Sequence, residues 1–159
     1  MPMNAQPSRP GDLAWEIVGR IEDRANIHDG PEVFLAQFAA LPRPEGHLLA
    51  THWCDHEVCN GGFLQFFGNS TGVLAPEAVA GYRALGLTEV AATVEEAMNR
   101  FGHSYPRDRA QRCTMIEYLE STSPRGRKPF DELDEQYYSL LPDNAFGRAA
   151  DKYAASYVV

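Results

Sequence analysis

The stretch His52-Trp53-Cys54-Asp55-His56-Glu57-Val58-Cys59-Asn60-Gly61-Gly62-Phe63-Leu64-Gln65-Phe66-Phe67-Gly68-Asn69-Ser70 decides the fold. Its first part closes a helical stretch that runs from about Glu45 through Cys59. Phe63, Phe66 and Phe67 stand at i, i+3 and i+4, so on a helix they share one face and anchor a core. Gly61-Gly62 between them lets the backbone bend or a neighbouring helix approach closely. Asn69-Ser70-Thr71-Gly72 then reads as a loop.

The same stretch carries polar side chains that could do chemistry. On a continuous helix His52, His56 and Cys59 fall at i, i+4 and i+7, one face with three zinc-competent ligands. Phe63 continues that stripe, which equally reads as core. The zinc-protease helix His-Glu-x-x-His is not completed, because Asn60 stands at its last position. These three are therefore weak metal candidates, and no cofactor is implied. Glu57 and Asn60 lie one turn apart with Gln65 and Asn69 nearby, so a carboxylate beside His56 offers acid–base chemistry in a dry cleft. No nucleophile signature surrounds Cys54, Cys59 or Cys113, and Gly61-Gly62 lacks the Lys and spacing of a phosphate loop. The plainer role for Glu57, Asn60 and Asn69 is to cap helix ends and tie loops. No catalytic residue is assigned.

Working outward, nearly every periodic segment reads as helix. Leu13, Ala14, Ile17, Val18 and Ile21 form one stripe, and Pro31 opens a helix whose apolar face is Val33, Phe34 and Phe38. Pro76 begins another that Gly86 stops, and Thr88 is placed as the N-cap of the next, which ends before Gly102. Pro106 opens a helix with Ala110, Cys113, Ile116 and Leu119 inward. A loop spans Ser121 to Pro129, and two further helices carry Phe130 to Leu141 and Phe146 to Tyr157. The expectation is an all-α, single-domain bundle of about seven to nine helices over residues 12–159, after a disordered tail over 1–11.

The chain of 159 residues is 44% hydrophobic and 23% charged, which excludes wholesale disorder and suits one buried core. Twenty-two acids against fourteen Lys and Arg leave a net charge of −8, which argues against general affinity for nucleic acid or an anionic membrane. There is no targeting segment or membrane-length apolar run, and three cysteines form no disulfide framework, so a reduced cytoplasmic protein is expected.

The run from Glu57 to Ser70 resembles a signature, E-x-x-N-G-G-F-x-Q-[FY]-F-x-N-[ST], of the bacterial DNA-mimic-protein-19-like family. The residues that carry it are Glu57, Asn60, Gly61, Gly62, Phe63, Gln65, Phe66, Phe67, Asn69 and Ser70. Gly72, the helix around Ala78–Leu85, Gly86 and the helix ending near Phe101 follow in similar order, so the resemblance covers about Asp12 to Tyr157. It implies an all-helical fold. For the family's named member it implies an acidic dimer that imitates a DNA duplex and sequesters a DNA-binding transcription factor.

Such a mimic sets out surface carboxylates in place of phosphates, and the acids here are unevenly placed. From Asp12 to Glu57 nine acids face three basic residues, a net of −6. From Arg100 to Lys128 seven basic residues face three acids, a net of +4. Asp131, Glu132, Asp134 and Glu135 then form an acidic knot, which also suits a helix N-terminus. The function expected is a non-enzymatic acidic interaction domain that binds a basic protein such as a transcription factor. Its surface is expected at Glu16, Glu22, Asp23, Asp131, Glu132, Asp134 and Glu135, with no direct nucleic-acid or membrane contact and a homodimer as one arrangement. The competing expectation is a metal-dependent or small-molecule enzyme with a pocket at His52, His56, Glu57, Cys59 and Asn60.

Overall fold

A computed structural model describes residues 8–157, and all of their regular structure is helical. The order is α1 (Asp12–Ile21), α2 (Pro31–Ala39), α3 (Arg43–Gly68), α4 (Ala75–Ala84), α5 (Thr88–Asn99), α6 (Arg109–Thr122), α7 (Asp131–Leu140) and α8 (Ala145–Tyr157). Short 3-10 turns sit at Glu22–Arg24, Ile27–Asp29, Ser70–Leu74 and Pro142–Asn144.

α3 is the axis of the molecule, and its two halves serve different cores. Leu48 and Leu49 in its first half pack with Ala14, Ile17, Val18 and Ile21 of α1 and with Ala150 and Ala154 of α8. Cys54, Val58, Phe63, Phe66 and Phe67 pack with α4, α5 and α7, through Tyr82, Val94 and Tyr137 among others. The phenylalanines are fully buried, as their spacing predicts, and Phe63, Phe67, Phe101 and Phe130 form one aromatic cluster.

Several boundaries differ from the sequence reading, each for a local reason. The third helix does not end near Cys59. It resumes after a kink at Gly61 (φ −155°, ψ 21°) and Gly62 (φ 72°, ψ −176°) and runs to Gly68. α5 starts at Thr88 itself, which makes no side-chain cap; Leu87 occupies that position. α6 starts at Arg109 and not at Pro106, because Asp108 accepts the Gln111 N–H at 2.9 Å and is the true cap. On α6 the buried residues are Arg112 and Ile116, whereas Ala110 is exposed.

Of the expected disordered tail, residues 1–7 lie outside the described residues. Arg9 to Gly11 are tied down: Asn144 donates to the Pro10 carbonyl at 2.8 Å, and the Gly11 N–H donates to Asp151 at 2.7 Å. Asp151 also accepts the Ala14 N–H at 3.0 Å, so a carboxylate on α8 caps α1, which has no cap of its own.

Candidate functional site

The polar residues of the central motif meet at the kink. Glu57 accepts three hydrogen bonds, from Gln65 Nε2 at 2.7 Å, Asn69 Nδ2 at 2.9 Å and Thr71 Oγ1 at 2.9 Å. Asn60 Nδ2 donates to Gln65 Oε1 at 3.1 Å. One carboxylate thus ties together the helix before the kink, the helix after it and the following turn. Bonds to an ionised acceptor are the stronger kind, so the clasp is a rigid one. Gly61 is required for it: a Cβ there would meet Gln65 Oε1 at 2.1 Å.

The kink leaves the N–H of Phe63 without a partner inside α3. Asp134 supplies one, accepting it through Oδ1 at 2.8 Å from the first turns of α7. Burial raises the pKa of Asp134, and the Phe63 hydrogen bond opposes the shift. Asp131 likewise caps backbone, accepting the Lys128 N–H at 2.9 Å. Two of the four acids in the knot are therefore committed to structure and are not free surface charge. The expected surface is reduced to Glu132, which pairs with Arg127 at 2.8 Å, and exposed Glu135. In the N-terminal group Glu16 is exposed and paired with Arg20, and Glu22 and Asp23 are exposed on the first 3-10 turn.

Docked by Asp134, α7 lies along the outer side of α3. Tyr138 donates to the Val58 carbonyl at 2.7 Å, and Tyr137 donates to Asp55 Oδ1 at 2.7 Å. The Tyr137 hydroxyl is also 2.6 Å from that of Tyr82, deep in the core. On the other flank Trp15 of α1 packs on His52 with ring centroids 4.5 Å apart, and His52 stacks on His56 at 6.4 Å. Trp15 is 58% exposed and Tyr138 43% exposed. On this side of α3 Trp15 packs on His52 and His52 on His56, while Tyr138 reaches the Val58 carbonyl from α7.

The five residues expected to share an enzyme pocket do not converge. His52 lines a recess with Trp15, while Glu57 and Asn60 are spent on the clasp. Cys59 Sγ lies 3.7 Å from Asp55 Oδ1, and burial together with the Asp55 charge pushes its thiol up to about 11. Cys54 is fully buried and raised further, so neither thiol is an activated nucleophile. Among the described residues no group of three His, Cys, Asp or Glu side chains is arranged to hold a metal ion. None of their helices is long and apolar enough to cross a membrane.

His52 has the largest consequence for pH. Burial, aided by the neighbouring His56, pushes its pKa down from 6.5 to about 4. Below 6.5 the unfolded chain binds a proton that the folded chain refuses until about 4, so acid favours unfolding across that window. A His52→Gln variant, compared with the parent by denaturant titration, is expected to escape about 3 kcal/mol of acid destabilisation. Asp55 and Asp134, both raised chiefly by burial, shift stability in the opposite direction in both proteins. The difference between the two proteins therefore isolates His52, and equal acid sensitivity would show that its ring is not withheld from water.

Three participants escape a reading of the sequence. Asp55 and Tyr137 become partners only when α7 docks, and Trp15 looks like any residue on a helix face. The only sequence signal was Asp55 inside the motif stretch and Trp15 opposite the apolar stripe of α1.

Comparison with known proteins adds one finding. A family described as DMP19-like protein matches residues 39–158, which includes the clasp, the kink and α7 and leaves α1 outside. No curated protein and no solved structure matches the chain. The matched region is well over half the chain, and it holds the motif that organises the whole site. The chain belongs to the DMP19-like protein family.

Proposed function

We propose that this protein is a non-enzymatic, DNA-mimic-like interaction protein that captures a basic DNA-binding regulator. The observation that carries the reading is a pair of exposed aromatics flanking α3, Trp15 on α1 and Tyr138 on α7, together with exposed carboxylates on or next to the same helices: Glu16, Glu22 and Asp23, and Glu132 and Glu135. Aromatic anchors on helices that carry exposed carboxylates suit a basic partner, since the rings supply contact area and the carboxylates supply steering. Family membership supports the same reading, in line with what the resemblance to the mimic implies.

The test follows from the division of labour among the acids. Asp131 and Asp134 cap backbone, so reversing their charge would damage the fold and say nothing about binding. Reversal at Glu132 and Glu135 leaves those caps alone. The immobilised chain would be used to capture partners from native lysate, the partner identified by mass spectrometry, and the purified pair titrated. The double variant Glu132→Lys and Glu135→Lys is expected to weaken binding by about tenfold or more, and the parent affinity is expected to fall with added salt. Binding indifferent to both changes would overturn the proposal.

A further inference from the structure

Where α1, α3 and α8 meet, beside Trp15, a recess of about 260 Å³ opens to solvent. Its lining is mixed: Trp15, Leu48 and Phe146 are apolar, and Asp12, His52 and Asp55 are among its polar members. We propose that this recess is a binding site for an organic cation, an alkylammonium or alkylguanidinium group whose charge meets Asp55 and whose stem lies against Trp15.

Three features of the recess converge on that ligand. Asp55 is a largely buried carboxylate with no Lys or Arg ion-paired to it among the described residues. Its Oδ1 is engaged by Tyr137 and Cys59, both neutral donors, while its Oδ2 accepts no hydrogen bond from the described residues. His56, one residue along α3, is a cationic neighbour of Asp55, but a desolvated carboxylate with no Lys or Arg beside it is stabilised further by any full cation that reaches it. The second feature is Trp15, whose indole forms an exposed wall, and a cation next to an indole face gains further electrostatic attraction. The third is His52, which burial keeps uncharged near neutral pH, so the recess holds no competing cation of its own.

The Tyr82–Tyr137–Asp55 chain explains why the carboxylate is held in place. The Tyr137 hydroxyl bonds both Asp55 and Tyr82, and Tyr82 also reaches the Thr51 carbonyl at 3.3 Å. The acceptor is thus fixed before any ligand arrives, which lowers the ordering cost of binding.

The recess lies on the face proposed above to meet a basic partner, so the inference rests on that reading for its biological source, an arginine or lysine side chain. The same chemistry would admit a free polyamine-like metabolite, and the experiment separates the two. Backbone and indole NMR resonances of the isolated chain are followed while n-butylammonium chloride is added, with n-butanol as the neutral control. Agmatine and a short acetylated peptide carrying one arginine are added in parallel. The expected result is a saturable shift at the Trp15 indole and at the Leu48 and Gly147 amides with each cation, and none with butanol. Tighter binding of agmatine than of the peptide identifies a free metabolite as the ligand, and the reverse identifies a side chain. Asp55→Asn, which keeps an acceptor for Tyr137, is expected to weaken n-butylammonium binding at least about tenfold. Trp15→Leu, a change at an exposed position, is expected to weaken it about threefold.

Equal shifts with butanol, no saturable shift in the parent, or shifts that persist unchanged in Asp55→Asn would each overturn the inference. Because no partner is present, this outcome is independent of partner capture. Loss of the cation site with capture intact removes only the recess, and capture lost with the cation site intact removes only the proposed partner.

Discussion

Replacing Arg112 with methionine lowers the unfolding free energy by about 3–5 kcal/mol, the largest effect expected of any single substitution in the chain. Arg112 is 0% exposed and has no carboxylate partner among the described residues. Its guanidinium instead donates to four backbone carbonyls: Phe67 at 2.8 Å, Asn69 at 2.8 Å, Pro106 at 3.2 Å and Arg107 at 2.7 Å. Phe67 and Asn69 lie at the C-terminal end of α3, where helix carbonyls lack partners and the macrodipole is negative. The positive charge is therefore buried against a concentration of partial negative charge and needs no acid. Methionine fills similar space but abandons the acceptors, each of which costs about 1 kcal/mol or more when left dry. Lysine is also expected to fail, since one ammonium cannot span four carbonyls that a planar fork reaches. Denaturant titration of both variants checks this, and a methionine variant as stable as the parent would refute it.

The second large effect belongs to Gly62. At φ 72° and ψ −176° it occupies a region open almost only to glycine, and a Cβ would lie 2.5 Å from Asp134 Oδ2. Gly62→Ala therefore combines backbone strain with displacement of the carboxylate that caps Phe63, and it is expected to cost about 3–4 kcal/mol. Asp134→Ala alone removes only the cap, about 1 kcal/mol. The combination is expected to be less damaging than the sum of the two, because the cap is already lost in the glycine variant. Strict additivity in denaturant titrations would mean that Gly62 and Asp134 are not coupled through this contact.

These two residues also show how far the sequence could be read. Helix count and type follow from stripes such as Leu13 to Ile21 and from the phenylalanines at 63, 66 and 67, because burial enforces the helical period. Gly61-Gly62 announces a bend. What it cannot announce is how the backbone is held at the bend before the phenylalanines, since the Phe63 N–H finds its partner in Asp134, 71 residues further along. Arg112 reads as a solvated helix residue, because a buried guanidinium is uncommon and its acceptors are carbonyls that have no sequence signature. The motif residues Glu57, Asn60 and Asn69 read as helix-end ties, and the clasp gives that role its geometry, with Gln65 as the partner the sequence did not single out for it.

The same geometry revises the meaning of the −8 net charge. Glu57, Asp108, Asp131, Asp134 and Asp151 all accept hydrogen bonds that hold the fold together. Part of the acidity is thus internal architecture, with carboxylates on one helix capping another. Of the acids expected to face a partner, Glu16, Glu22, Asp23, Glu132 and Glu135 stay exposed, with Glu16 and Glu132 ion-paired to Arg20 and Arg127.

The central claim, capture of a DNA-binding protein in place of DNA, is tested most directly by competition. The captured partner is bound to labelled duplex DNA, and this protein is titrated in at about 0.05 M and about 0.2 M salt. The account predicts that DNA is released in proportion to the protein added, with the apparent affinity falling roughly tenfold or more at the higher salt. A stable ternary complex with DNA still bound, at either salt concentration, would contradict it.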